Sequence, residues 1–279
     1  MAIIKTILSN KGKSLGAMAA VAKTKNTRDF FATTVMAGFF PIFFKSYWAS
    51  DLSDAESTFA IGSVNSLVGL LIAFSAPVLG ALADAGDSKR KFLFSFAFLG
   101  ILATGYLFFI PESSWKFAVI FYGIGVIGFS GGNIFYDSLL VAVSKEKERN
   151  RVSALGFSLG YLGGGILFLI NVFMFLYPNR FGLENEIEAV LCSFLSVAVW
   201  WLVFSLPIYL NVKEPIQNLI KKQFKVIITD AFGNLLNTAR SIKKFKSAVI
   251  FLLAYFLYMD GVDTCLLYTS DAADEGLGV

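Results

Sequence analysis

Two acidic side chains lie inside apolar stretches of this sequence, and they are the residues best placed to do chemistry. Asp137 occurs in GGNIFYDSLL, with Asn133 four residues earlier and so on the same face of a helix. Asp260 occurs in FLYMDGVDT, with Asp263 three residues after it. A carboxyl group inside an apolar helix is costly unless it faces a cavity or a partner, and it can carry a proton. These residues therefore predict a path for a solute or a proton.

Each of these candidates also has a structural interpretation. Asp137 could pair with Arg149 or Arg151 beyond the end of its helix, and Asp260 could be solvated at the outer rim of a membrane. Asn65 is a further candidate for a polar contact with substrate, although interhelical hydrogen bonding is its more common role.

The composition excludes several kinds of site. The chain has no His and two Cys, which excludes a His-based proton relay, a CxxC zinc site, a disulfide framework and hydrolases that need a His base. Its GKS at residues 12–14 lacks the upstream glycine of a phosphate-binding loop, so an ATP-driven pump is not expected. We expect no metal, no cofactor and no nucleic-acid partner.

The elements that position these residues must be membrane-spanning helices. Apolar residues make up 56% of the chain and charged residues only 16%, with 30 Phe, whereas soluble domains carry about 25% charged residues. A spanning helix needs about 20 apolar residues. Six segments meet that test and a seventh begins near Ser247: Phe30–Trp48 with a kink predicted at Pro41, Thr58–Ala83, Phe92–Ile110, Trp115–Val143, Val152–Tyr177 and Ile187–Val212.

The basic residues predict the orientation of these spans. If the N-terminus is cytoplasmic, 21 of the 24 Lys and Arg residues lie inside, and Lys45, Lys116 and Arg180 lie outside. This distribution obeys the rule that cytoplasmic loops are enriched in Lys and Arg. The longest and most basic loop is expected to rest against anionic membrane lipids.

The chain divides into segments of different composition. We predict a basic cytoplasmic segment, a six-helix bundle, a basic central loop, a seventh helix and a non-native tail, at residues 1–28, 29–212, 213–246, 247–264 and 265–279. The tail CLLYTSDAADEGLGV is polar and acidic, and it resembles the translated adapter sequences of metagenomic reading frames. We therefore expect that the chain is truncated at its C-terminus.

Six helices, a long basic loop and further helices form a layout that resembles the major facilitator superfamily. The loop between helices two and three, GALADAGDSKRK, is similar to the superfamily's loop signature through Gly80, Asp84, Lys89 and Arg90. The match is partial, because Ala85 stands where a basic residue is usual. The resemblance implies that these residues latch one conformation through charge-assisted hydrogen bonds.

A narrower resemblance covers most of residues 28–264. The strings ATTVMAGFFPIFFKSYW, NIFYDSLL, NRVSALGFSLGYLGGG and FLLAYFLYMDGVDT are similar to the vacuole-effluxer family, the autophagy-related branch of the superfamily. The resemblance implies that helices one, four and seven line a central path. It further implies transport of a small solute, amino acids among the candidates, by a protein that is a monomer when full length.

Helix five carries Gly156, Gly160 and Gly164 at four-residue spacing, which predicts close helix packing. Trp200 and Trp201 are most simply explained as facing lipid or the interface. The sequence thus predicts an all-α polytopic protein of the bacterial inner membrane, not an enzyme, that acts as a secondary or facilitated transporter. Possible coupling to a proton or another ion is part of that hypothesis. The alternatives are an intramembrane aspartate-dependent enzyme and a membrane scaffold without transport activity.

Overall fold

The computed structural model describes residues 31–85, 89–143, 146–211 and 245–258, with single positions at 226, 229, 233, 236, 237, 240, 241 and 261. Of residues 33, 82–85, 140–143 and 211 it describes the backbone alone. The chain forms two compact units, Met1–Lys222 and Gln223–Val279, and each is described by itself.

The first unit is a bundle of six helices, α1 to α6. Helix α1 (31–48) consists of three consecutive stretches, Phe31–Phe39, Phe40–Phe43 and Phe44–Trp48. The others are α2 (Asp54–Ala85), α3 (Lys89–Tyr106, extended by a 3₁₀ turn at Leu107–Phe109), α4 (Trp115–Val143), α5 (Glu146–Leu176) and α6 (Glu186–Asn211), with a 3₁₀ turn at Pro178–Phe181 between the last two. All the secondary structure in the described residues is helical, which confirms the predicted fold class.

Five of these helices are long and apolar enough to cross a membrane: Asp54–Ala81, Lys89–Phe109, Trp115–Leu139, Glu146–Leu176 and Glu186–Leu210. The buried share of their most apolar 18 residues ranges from 6% in α2 to 50% in α4, so each helix keeps side chains that can contact lipid. This confirms a polytopic membrane protein.

Helix α1 changes its hydrogen bonding on both sides of Pro41, where the sequence predicts a kink. The stretches before and after Phe40–Phe43 are π-helical, with the Ala49 N–H bonded to the Phe44 carbonyl at 2.8 Å. Proline has no N–H to give to the ladder, so a local change of helix type is expected around it.

The core of the bundle is built around α1, which contacts α2, α4, α5 and α6. The Phe40 ring stacks on Tyr122 of α4 at 4.0 Å between centroids, and Trp48 stacks on Phe194 of α6 at 5.6 Å. The Phe31 ring lies 5.6 Å from Trp201, which is 0% exposed. The interpretation of Trp201 as a lipid-facing residue was therefore wrong, because its apolar ring fills the bundle interior.

The closest helix crossing joins α3 and α4. A Cβ atom added to Gly128 would lie 2.6 Å from the Gly100 Cα and 2.7 Å from the Phe96 carbonyl oxygen. On the other side of Gly100, an added Cβ would lie 2.5 Å from the Trp201 ring. Only hydrogen fits at both glycines, so α3 is held between α4 and α6.

The predicted packing glycines of α5, Gly156, Gly160 and Gly164, are buried along one face of that helix. This burial supports the predicted packing role. Gly165 differs, because a Cβ added there would meet no atom within 4 Å.

Within the second unit, Lys246–Tyr258 forms a shorter apolar helix, α7. Its large apolar side chains, from Ile250 to Tyr258, are exposed. It begins where the seventh span is predicted to begin. Residues 262–279, and with them the predicted tail, lie outside the described residues.

Candidate functional site

Asp137 lies on the exposed side of α4, and Asn133 is half-buried one turn before it. Phe135 and Leu139 are buried in a cluster with Leu93 of α3. Residues two positions away on a helix are about 200° apart, so Asp137 points away from that cluster. The structure therefore brings the Asn133 amide and the Asp137 carboxylate together on one outward face of α4.

The depth of Asp137 follows from its position along the helix. It comes 22 residues after Trp115, at which α4 begins, and so lies roughly 33 Å along the helix axis. The hydrocarbon core is about 30 Å thick. The carboxylate thus lies near the end of the span, at the membrane surface. We call this end of α4 the mouth of the bundle.

The structural interpretation of Asp137 required an ion pair with Arg149 or Arg151. Within residues 146–211 and 89–143, no ion pair joins Asp137 to either side chain, and Arg149 Nε is buried without a hydrogen-bond partner. Among the described residues, Asp137 therefore has none of the charge compensation expected of a purely structural aspartate.

Asn65 belongs to a different part of the bundle. Its side chain lies near the hydroxyl of Tyr122 on α4, and Tyr122 is 2% exposed and stacks on Phe40. Tyr122 lies eleven residues before Asn133, roughly 16 Å along α4, so Asn65 does not join Asn133 and Asp137. The contact is interhelical, the more common role of such a residue.

An interaction between Asn65 and Tyr122 should be measurable in a double-mutant cycle. We expect Asn65→Ala and Tyr122→Phe to show a coupling of about 0.6 kcal/mol, and at most about 1.7 kcal/mol, because the unfolded chain in a membrane finds other partners. Unfolding in mixed micelles of increasing dodecyl sulfate measures it. Ser66→Ala with Tyr122→Phe is the control pair and should be additive. Additivity of the Asn65 cycle as well would contradict the contact.

The predicted latch between α2 and α3 is described in part. Gly80 is half-buried with no atom within 4 Å of an added Cβ, and Lys89 begins α3. The Asp84 side chain and residues 86–88 lie outside the described part. Arg90 donates a hydrogen bond from Nη1 to the Tyr209 carbonyl at 3.3 Å and lies 5.4 Å from the Tyr209 ring centre. Arg90 thus ties the start of α3 to the end of α6.

Asp260 lies outside the described residues, in the second unit. Its predicted role on a path-lining helix stays a prediction.

A buried polar group in α5 was missed by the sequence analysis. Asn171 is 0% exposed, and its Oδ1 accepts a hydrogen bond from Ser196 of α6 at 3.0 Å. Its Nδ2 and the Oγ1 of buried Thr34 on α1 have no hydrogen-bond partner among the described residues. The signal was an amide inside the apolar string FLINVFMFL, which polar patterning could have singled out.

Among the described residues no group of three His, Cys, Asp or Glu side chains could hold a metal ion. The predicted roles of Asn133 and Asp137 toward a solute or a proton stay predictions. Both groups lie on the side of α4 that is turned away from the buried cluster of Phe135 and Leu139.

Comparison with known proteins agrees with this architecture. Residues 47–143 and 141–279 match the profile of the family described as "Vacuole effluxer Atg22 like". The chain is 37% identical over 251 residues to the MFS-type transporter YxiO of Bacillus subtilis (strain 168). The aligned region covers 89% of this chain and 58% of YxiO. No solved structure matches the chain.

More distant similarity extends to fungal proteins. The chain is 23% identical over 243 residues to autophagy-related protein 22 of Eremothecium gossypii, covering 80% of this chain and 46% of that protein. It is 26% identical over 132 residues to autophagy-related protein 22 of Yarrowia lipolytica, covering 41% of this chain and 22% of that protein. The chain thus matches 58% of the length of YxiO and less than half of each of the two fungal proteins. Since the family profile matches from residue 47 to residue 279, the chain belongs to the Atg22-like vacuole effluxer family.

Proposed function

We propose that these residues form the helix bundle of a secondary transporter that moves a small solute across a membrane by alternating access. The observation that carries the proposal is Asp137, a carboxylate on the outward face of a membrane-spanning helix that forms no ion pair with another described residue. A charged group near the end of a span needs water or a polar partner, which fits the entrance of a water-filled path on that side of α4. The similarity to an MFS-type transporter supports the same function.

The solute class and the coupling ion are further parts of the proposal. Amino acids are the first solutes to test, because the resemblance to the effluxer family implies them. A proton is the first coupling ion to test, because an aspartate can bind and release one within a span. We also propose that the full-length protein is a monomer in the inner membrane of a bacterium.

We place the N-terminus in the cytoplasm on the distribution of Lys and Arg. The α3–α4 turn would then face outward. A membrane-impermeant maleimide should label a Cys introduced at Ser113 in intact cells, in a variant with Cys192 and Cys265 replaced by Ser. Labelling that needs permeabilised cells would reverse the orientation.

Uptake into proteoliposomes tests the proposed function. The protein encoded by the longest reading frame that contains these 279 residues is reconstituted. Labelled amino acids are then offered with and without a pH gradient. We expect uptake above protein-free vesicles, and accumulation that depends on the gradient. The absence of uptake for every amino acid offered would contradict the amino-acid assignment. Uptake that is equal with and without the gradient would contradict proton coupling but not the proposed transport.

A further inference from the structure

An open groove of about 690 Å³ lies between the first turns of α2 and α4. Its walls are almost entirely apolar, and a single carboxylate and a single hydroxyl interrupt them: the lining residues are Leu52, Ala55, Glu56, Phe59, Ala60, Ser63, Val64, Trp115 and Val119. We call this feature the α2–α4 groove. Its volume is in the range of sites that hold a small molecule or part of a lipid.

The carboxylate of the groove is held in place by the start of α2. Glu56 Oε2 accepts hydrogen bonds from the Ser53 N–H at 3.0 Å and the Ser53 hydroxyl at 2.7 Å, while the Glu56 N–H donates to Ser53 Oγ at 3.3 Å. This is a capping box, in which Glu or Gln serves equally well. Both bonds that Glu56 accepts use Oε2, which leaves Oε1 to accept from a ligand.

A positive charge on α4 lies next to one of the lining residues. The Lys116 ammonium is 5.5 Å from the centre of the Trp115 ring, which lines the groove. Both Glu56 and Lys116 are exposed. The groove thus has an anion on α2 and apolar walls along two membrane-spanning helices, and a cation on α4 lies beside its lining residue Trp115.

This combination is complementary to a zwitterionic lipid. The groove lies where α2 and α4 begin, and Trp and Lys are typical of that interfacial depth. We propose that the α2–α4 groove binds one phosphatidylethanolamine molecule of the adjacent leaflet, its ammonium on Glu56, its phosphate on Lys116 and an acyl chain along the apolar wall. The proposal does not depend on transport, so the two can fail separately.

The ethanolamine headgroup follows from the hydrogen-bonding capacity of the two charges. A primary ammonium donates charge-assisted hydrogen bonds to a carboxylate, whereas the quaternary ammonium of phosphatidylcholine has no hydrogen to donate. An anionic lipid such as phosphatidylglycerol would satisfy Lys116 but be repelled by Glu56. The headgroup preference therefore tests the site.

Quenching of Trp115 fluorescence by brominated lipid measures this preference. The 279-residue chain is reconstituted in phosphatidylcholine vesicles that contain a minor fraction of phosphatidylethanolamine, phosphatidylcholine or phosphatidylglycerol brominated on one acyl chain. We expect brominated phosphatidylethanolamine to quench as if it bound about threefold more tightly than phosphatidylcholine, the size expected of an exposed ion pair. The chain has three other Trp residues, so a variant is needed to assign the signal to Trp115. We expect Trp115→Phe to remove the excess quenching.

Glu56→Gln is the decisive variant, because Gln keeps the capping box and removes only the charge. It should abolish the preference, so that phosphatidylethanolamine and phosphatidylcholine bind with an affinity ratio of about one. Glu112→Gln, in the turn before α4, should leave the preference unchanged. Circular dichroism of both variants checks that the helices are retained. Equal quenching by the three lipids, strongest quenching by phosphatidylglycerol, or a preference that survives Glu56→Gln would each overturn the proposal.

Discussion

Replacing Gly128 with alanine is expected to destabilise the bundle strongly. The new Cβ would lie 2.6 Å from both the Cα and the N of Gly100, and 2.7 Å from the Phe96 carbonyl oxygen. All three are backbone atoms, so no side chain can rotate away and the two helices must separate. Overpacking of this kind costs about 1–3 kcal/mol, and we expect the upper part of that range.

Gly69→Ala on α2 is the matched control, because an added Cβ there meets no atom within 4 Å. Alanine has the higher helix propensity by about 1 kcal/mol, so this variant should be as stable as the parent or slightly more stable. Unfolding in mixed micelles, followed by Trp fluorescence, gives both free energies. If Gly128→Ala and Gly69→Ala behave alike, the close crossing of α3 and α4 is wrong.

A second test addresses the other side of the crossing. Gly100→Ala should be destabilising because its Cβ would lie 2.5 Å from the Trp201 ring. Here the neighbour is a side chain, so Trp201→Phe in the same chain should recover part of the loss. Recovery would show that Trp201 packs against Gly100 inside the bundle and does not face lipid.

The helices themselves could be predicted closely from the sequence. The predicted fourth span, Trp115–Val143, coincides with α4, and the predicted fifth and sixth differ from α5 and α6 by a few residues. Apolar length decides a span because every backbone group must bond within the helix in lipid. That rule needs no knowledge of tertiary contacts. The predicted starts of the second and fifth spans fall inside their helices because polar first turns, such as the capping box at Ser53, extend the helix beyond its apolar part.

Contacts between helices could not be predicted in the same way. The α4 string YGIGVIGFSGGN contains five glycines, yet only the fold shows that Gly128 meets Gly100. The sequence analysis instead selected the regular spacing in α5. Trp201 was assigned to lipid because an apolar ring suits lipid and a bundle interior equally. Composition cannot separate these two surroundings, and packing decides between them.

The candidate site was predictable where it depends on one helix. Asn133 and Asp137 share a face because residues four apart always do on a helix. Their distance from Asn65 and the absence of a pair between Asp137 and Arg149 depend on tertiary structure. Tyr122 and Tyr209, the partners of Asn65 and Arg90, carry no signal in the sequence that distinguishes them from other interfacial tyrosines.

Replacing Asp137 with asparagine should uncouple transport from the pH gradient. Asparagine keeps the size and hydrogen bonding of the side chain but cannot bind a proton. Coupling free energies between two ligands are typically about 1–3 kcal/mol, so gradient-driven accumulation should fall between about 5-fold and 150-fold. Exchange of labelled for unlabelled solute without a gradient should change much less, because it needs no net proton movement.

Two further variants separate this role from general damage. Asp137→Glu restores a titratable group at the same mouth of the bundle and should recover part of the accumulation. Asp51→Asn removes an exposed carboxylate in the turn after α1 and should leave accumulation unchanged. If Asp137→Asn accumulates solute like the parent in proteoliposomes, with the same response to the gradient, Asp137 does not couple transport. Its outward position on α4 would then have to be explained by solvation at the end of the span, which its depth of roughly 33 Å along the helix permits.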